Sequence, residues 1–255
     1  MNFSDLLSIG VLGLVFILVF LGLMVLFIVY ERSHQGRPLR SIPAFDRFKR
    51  EIGLAVEAGK RLHITLGRGS LTGQEAGSAL IGLQVLERVS RTASISDRPP
   101  VTTSGDGSLA ILSQDTSRAV MHSTGGESQY DPTTGRLSGL TPFAYAAGTI
   151  PVILDEQVAA TIVAGHVGSE VALITDAAER SGSLTLAGSD NLSAQAVIYA
   201  SAEEPLIGEE LFAGGAYLSA GTFHAASLRA QDVFRWLLIA VILVGSLARF
   251  LGFWE

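Results

Sequence analysis

An uncharged apolar run, Leu6–Tyr30, constrains this chain more than any other feature. As a helix it reaches about 37 Å, enough to cross a hydrocarbon core of about 30 Å with some tilt. Lipid offers backbone amides no partner, so a chain crossing it has to be helical. A cleavable signal peptide is the rival reading. Its apolar region would be about 7–15 residues, with a small-residue cleavage site after it. Here the run is longer and is followed by Glu31-Arg32-Ser33-His34. The expectation is an uncleaved anchor over residues 6–30.

A second apolar run, Trp236 to Trp254, lies near the other end. It has the length of one crossing, and Phe234, Trp236, Phe250, Phe253 and Trp254 sit at its ends as an interfacial belt would. Arg249 either snorkels to the headgroups or faces a neighbouring helix. A re-entrant or interfacial helix is the alternative to a second anchor over 234–254. Cations decide the orientation. Arg32, Arg37, Arg40, Arg47, Lys49, Arg50, Arg229 and Arg235 flank the inner ends of the two runs, whereas Met1–Asp5 carries no cation. Both termini are therefore expected outside, with residues 31–231 in the cytoplasm.

The 255 residues leave room for one sizeable domain between the anchors. The overall charge of −6 argues against a general nucleic-acid binder. The few aromatics are not interleaved with Lys or Arg, so no stacking platform for nucleic acid is present. Residues 31–98 hold 12 Lys or Arg against 7 Asp or Glu; residues 99–232 hold 4 against 15. A basic membrane-proximal part suits an anionic inner leaflet, with lipids as partners. The chain has no cysteine, which removes disulfides, thiolate catalysis and cysteine metal sites.

Residues 31–60 read as a polar linker and then a basic amphipathic helix. Pro43 suits a first helical turn, and Phe45, Phe48, Ile52, Ala55 and Val56 recur at helical spacing to about Lys60. That helix either lies on the membrane or packs on the domain. From Leu62 a pattern repeats: strand, glycine-bearing turn, helix, strand, turn, helix. Strands are expected at 62–66, 101–103, 160–164 and 183–186. Helices are expected at 74–90, 109–122, 170–181 and 193–202. The helix over 74–90 would bury Ala79, Leu80, Leu83, Leu86 and Val89, and that over 109–122 would bury Leu109, Leu112, Thr116, Ala119 and Val120. Residues 124–139 read as an exposed loop. Residues 143–156 read as a short helix weakened by Gly148 and Pro151. The Gly/Ala-rich stretch from 208 reads as one or two helices leading to the second anchor. Such alternation predicts right-handed βαβ crossovers, hence a Rossmann-like α/β domain over 61–231 with a parallel sheet. Its two halves have the form of an internal duplication, on pattern alone.

Turns after parallel strands gather at one edge of the sheet, where ligands bind. Four of them carry glycine: Gly67-Arg68-Gly69, Ser104-Gly105-Asp106-Gly107, Gly165-His166-Val167-Gly168 and Gly188-Ser189-Asp190. Glycines let amides approach an anion, and the following helix adds partial positive charge. Arg68 is a candidate for pairing with a phosphate or carboxylate, and Asp106, His166 and Asp190 for holding ribose hydroxyls or moving protons. Ordinary turn and cap chemistry selects the same residue types. No nucleotide fingerprint is completed: Thr72 stands where G-x-G-x-x-G needs its third glycine, and neither a P-loop nor a G-x-S-x-G elbow occurs. No cofactor is named by any motif. The five histidines form no compact ligand pair, so no metal site is expected. His63 reads as a structural strand residue, and Glu203-Glu204 and Glu209-Glu210 as solvated acidic faces.

The two anchors, the segment IPAFDRFKREIGLAVEAGKRLHITLGRGSLTG and the turns TTSGDGS and VAGHVGSE together resemble an uncharacterised bacterial membrane-protein family, a domain of unknown function. The resemblance spans most of the chain, is compatible with a bacterial membrane source and supplies no catalytic residue; the expected setting is the bacterial inner membrane. The expected function is a membrane-anchored subunit of a homo-oligomeric assembly or scaffold, without catalysis. The alternative is a membrane-tethered sensor taking a nucleotide or acidic small metabolite at the glycine turns. An enzyme would need a convergent acid–base pair, for which Asp106 and His166 are scattered candidates.

Overall fold

The computed structural model describes residues 3–33, 42–94, 96, 98–127, 130–217 and 222–251. The expected linker residues 34–41 and the final residues 252–255 lie outside the described residues. Two compact units result: Met1–Leu39 with Ala220–Glu255, and Arg40–Ser219.

The second unit is built on β1 (Arg61–Gly67), β2 (Val101–Ser104), β3 (Gly135–Leu137), β4 (Val158–His166), β5 (Leu184–Gly188) and β6 (Glu204–Leu206). All are parallel, in the order β3-β2-β1-β4-β5-β6. That is the doubly wound order of two βαβαβ halves, and the order in which strands are added reverses between β1 and β4. The α/β, Rossmann-like class expected from the alternation is the observed one. β1 is buried on both faces, as a central parallel strand must be. Its Leu62, Ile64 and Leu66 enter one apolar core with β4 and the helices α2 (Pro43–Glu57) and α3 (Ala76–Thr92). The opposite face packs on α5 (Pro142–Asp155), α6 (Val171–Ser181) and α7 (Leu192–Ser201). α2 packs on the sheet domain: Phe45, Phe48, Ile52 and Ala55 are buried, and the Phe45 ring stacks on Tyr217 at 5.1 Å. Burying one such side chain contributes about 2 kcal/mol.

Several expectations need correcting. Residues 124–139 are not wholly loop. Asp131 caps a 3-10 turn at Pro132–Thr134, and β3 then pairs Gly135 with Thr102. Three residues, two of them Gly and Arg, carry no apolar alternation to read. β6 was likewise unmarked; it tolerates Pro205 because it is an edge strand. Glu204 is not solvated: it is 9 % exposed and pairs with Arg47 of α2. In α3 the buried line is Ser78, Ala79, Ile81, Gly82, Val85, Leu86 and Val89, while Leu80 is 52 % exposed. A Cβ on Gly82 would collide with the Ala164 carbonyl. Small residues therefore mark the face that comes closest to the sheet, and counting leucines misplaces it. The helix α4 (Gly107–Thr124) behaves alike, burying Ser113 and Ser117 while Ala119 is exposed.

The first unit holds α1 (Phe3–Ser33) and α9 (Thr222–Phe250), and α8 (Glu210–Tyr217) closes the domain before it. Both α1 and α9 are long and apolar enough to cross a membrane. α9 begins well before residue 234, so the second apolar run is the distal part of a longer helix that also carries Arg229, Asp232 and Arg235.

Candidate functional site

In this topology the ligand crevice lies beyond the carboxyl ends of β1 and β4. Those two strands end in a register shift between Thr65 and Gly67. Gly67 has φ 74° and Gly165 φ 153°. A Cβ on Gly67 would strike the His166 carbonyl, and one on Gly165 the Leu66 carbonyl. The glycines thus let two backbones touch where the sheet's halves meet.

Arg68 is the hub of the crevice. Its amide donates to the His166 carbonyl at 2.7 Å, and its Nε donates to Glu170 Oε1 at 3.1 Å. Gly105 packs against the Arg68 side chain and donates its amide to the Gly67 carbonyl at 2.8 Å. Three turns are therefore joined: those after β1, β2 and β4. Glu170 stands at the start of α6 and is 4 % exposed. Its carboxylate also accepts the Gly168 amide at 3.0 Å. Burial pushes its pKa up; the Gly168 and Glu170 amides and Arg68 outweigh that and hold it below the usual carboxylate range.

Two other amides around the crevice are engaged too. Gly67 donates to the Tyr145 hydroxyl at 3.2 Å, and Val167 donates to Ser189 Oγ at 3.2 Å. Tyr145 also bonds Thr65 Oγ1, and burial keeps its phenol neutral, with a pKa pushed up to about 12. The place where a bound anion would meet Arg68, a turn amide and a helix N-terminus is taken by the chain's own Glu170.

The remaining candidates divide. His166 Nδ1 and Asp190 Oδ1 lie 2.8 Å apart and are about a quarter exposed, so this pair is within reach of solvent. Gly69 packs against His166 and Glu75. Ser104 donates to the Asp106 carbonyl at 3.2 Å. Asp106 faces its own helix, accepting the Ser108 and Leu109 amides at 2.9 and 3.1 Å as the α4 cap. Gly188 packs against Leu206 and Leu211. His63 is buried with Nε2 2.8 Å from Thr103 Oγ1. Burial, then the charge of Arg136, lowers its pKa to about 3. Among the described residues no group of three or more His, Cys, Asp or Glu is placed to hold a metal ion.

A family model described as a domain of unknown function, DUF6754, matches residues 7–254. The chain belongs to this family. The match runs through both apolar helices as well as the sheet domain, so one family unit contains all three parts. No curated protein and no solved structure matches the chain.

Reasoning from sequence overlooked Glu170 and Tyr145. Glu170 carries a local signal, an acid at the start of a helix after a Gly-Ser turn, where the helix dipole favours negative charge. Tyr145 carries none, because its role depends on α5 lying over β1. The carboxyl edge is also rimmed with exposed apolar side chains. Leu140 and Phe143 follow β3, Ile111 starts α4, Leu192 starts α7, and Ile207 follows β6. Among the described residues the amino edge exposes fewer: Leu54, Leu154 and Tyr199.

Proposed function

We propose that this protein is a subunit of a homo-oligomeric scaffold anchored in the bacterial inner membrane, with its sheet domain in the cytoplasm and both termini outside. One observation carries the reading: the edge where a doubly wound sheet offers its ligand site is filled by Glu170 and rimmed by exposed apolar side chains. Leu140 and Phe143 follow the strand at one end of the sheet, and Ile207 follows the strand at the other. Copies sharing one membrane share one orientation, so the symmetry axes that relate them run along the membrane normal. The edge strands β3 and β6 have three residues each, and β6 contains Pro205, so association runs through side chains rather than continued pairing.

Mass photometry of the full chain in detergent and in nanodiscs tests this. The expected result is one discrete oligomer, whose population falls in Phe143→Asp and Leu192→Asp while the melting temperature holds. A monomer in every detergent and at every concentration overturns it. Protease added outside intact cells should spare the domain; digestion there overturns the orientation.

A second reading rests on Arg68 and the Gly168 amide, which already hold one carboxylate. An acidic metabolite or nucleotide phosphate that displaced Glu170 would meet the same partners, and the protein would be a membrane-tethered sensor. Such a ligand would raise the melting temperature of the full chain, and Arg68→Ala would abolish the shift.

A further inference from the structure

The two faces of β1 are covered in different ways. Leu62, Ile64 and Leu66 meet α2 and α3 through apolar side chains. Arg61, His63 and Thr65 alternate with them and face α5, where the contacts are polar. Near the carboxyl end of β1 the Tyr145 hydroxyl bonds Thr65 Oγ1. At the amino end Glu156, which ends α5, pairs with Arg61 and with Arg136 of β3, the latter at 2.6 Å. Gln157 follows at φ 56° and accepts a bond from Arg98 Nη1 at 3.2 Å. So α5 is pinned to the sheet at both ends by polar groups.

His63 stands between the pins. Thr149 is one helical turn, about 6 Å, beyond Tyr145. His63 is two strand residues, about 7 Å, before Thr65. The two are therefore level, and both are fully buried. His63 Nε2 lies 2.8 Å from Thr103 Oγ1. Among the described residues, His63 Nδ1 and Thr149 Oγ1 have no hydrogen-bond partner. An imidazolium donates from both nitrogens and needs two acceptors. This seat brings only the Thr103 hydroxyl within bonding distance.

The surrounding charges oppose protonation as well. Arg61 on the same strand and Arg136 on β3 are cations, and Glu156 of α5 is already shared between them. Tyr145 of α5 is neutral, and Asp131, before β3, is exposed to water. Beside His63 and Thr65, β2 and β4 bring Val101, Thr103, Thr161 and Val163, none of which titrates. Burial, then Arg136, accordingly lowers the His63 pKa to about 3 from an ordinary 6.5. The helix above is itself weakened, because Pro151 inside it cannot donate to the Ala147 carbonyl.

We infer that α5 is an acid-released clamp: it seats only on uncharged His63, and acid lifts it before the rest of the domain unfolds. The inference needs no second copy and stands apart from the scaffold reading. Between pH 6.5 and 3 a solvated His63 holds a proton that the seated one does not, so acid favours the open form. The lifted helix carries the exposed Phe143 and Leu154, so release redraws the apolar surface of the domain.

Hydrogen exchange of the full chain in nanodiscs, read by mass spectrometry and corrected for intrinsic amide rates, tests this. From pH 7 to pH 5 the opening constant of α5 should rise about 25-fold, the value for one proton taken up per opening. Peptides of α3 should change by less than about threefold. In His63→Gln, which keeps a polar group for Thr103 and cannot be charged, the α5 rise should vanish. A flat α5 in the natural chain, an equal rise in α3, or an unchanged rise in His63→Gln overturns the inference. Should His63→Gln not fold, the single variants His34→Gln, His122→Gln, His166→Gln and His224→Gln decide it. The rise should persist in all four, and its loss in any one overturns the inference.

Discussion

The turns after β1 and β4 and the turn after β2 are written in the same residues, glycine with a charged or hydroxyl neighbour, yet they are used in opposite ways. The β2 turn touches its neighbour only through Gly105, on the Gly67 carbonyl and the Arg68 side chain, and its later residues serve its own helix: Asp106 caps α4, and Gly107 has open space around it. The β1 and β4 turns serve each other: Gly67 and Gly165 let the two backbones touch, and Arg68 reaches across to Glu170. The helix-starting end of the β2 turn is local, and the β1 and β4 turns are a joint between two halves of a sheet. A glycine turn therefore reports a tight backbone, and its position in the strand order decides whether that tightness closes a helix, joins two strands or cradles a ligand.

The largest effect should come from glycine substitutions that set the two kinds of turn apart. Gly67→Ala places a side chain at positive φ and against a backbone carbonyl, which should cost about 2–5 kcal/mol in urea unfolding of the full chain. Gly107→Ala in the β2 turn should be neutral or stabilising by up to about 1 kcal/mol. Equal losses would erase the distinction.

Next is Glu170→Ala, which leaves Arg68 and the Gly168 amide without their acceptor. Removing one partner of a buried pair costs about 3–5 kcal/mol; contact of Arg68 with water should bring this nearer 2 kcal/mol. Acetate at high concentration should return part of the lost melting temperature by filling the vacancy. Chloride, matched for ionic strength, should not.

Asp106→Ala and Asn191→Ala should each cost about 1 kcal/mol, the worth of a helix cap. Neither loss should respond to acetate. A response at Asp106 would show that the β2 turn also shapes the anion site.

The smallest effect is acid-dependent. The Glu170 carboxyl is held below its unfolded value of about 4.3, so its pairing stabilises the fold fully above that pH. The contribution fades as pH falls through the depressed folded value. The gap between wild type and Glu170→Gln should close on acidification from pH 5 to 3. A gap that widened would mean that the carboxyl is destabilised in the folded chain.

The sequence by itself determined the elements whose signal is short-range. Two apolar runs marked the terminal helices, the Phe45-Phe48-Ile52 spacing marked a helix with one apolar face, and the alternation of strands, turns and helices marked a parallel α/β sheet. Tertiary structure alone decided what depends on a distant partner. β3 and β6 exist because a neighbouring strand pairs with three residues that have no pattern of their own. The buried face of α3 follows the close approach of Gly82 to β4, and Glu204 is buried because Arg47 lies opposite. Glu170 occupies the crevice because the turn after β1 brings Arg68 to it from 102 residues away. Periodicity is a property of neighbours along the chain, whereas register, close approach and charge pairing belong to neighbours in space.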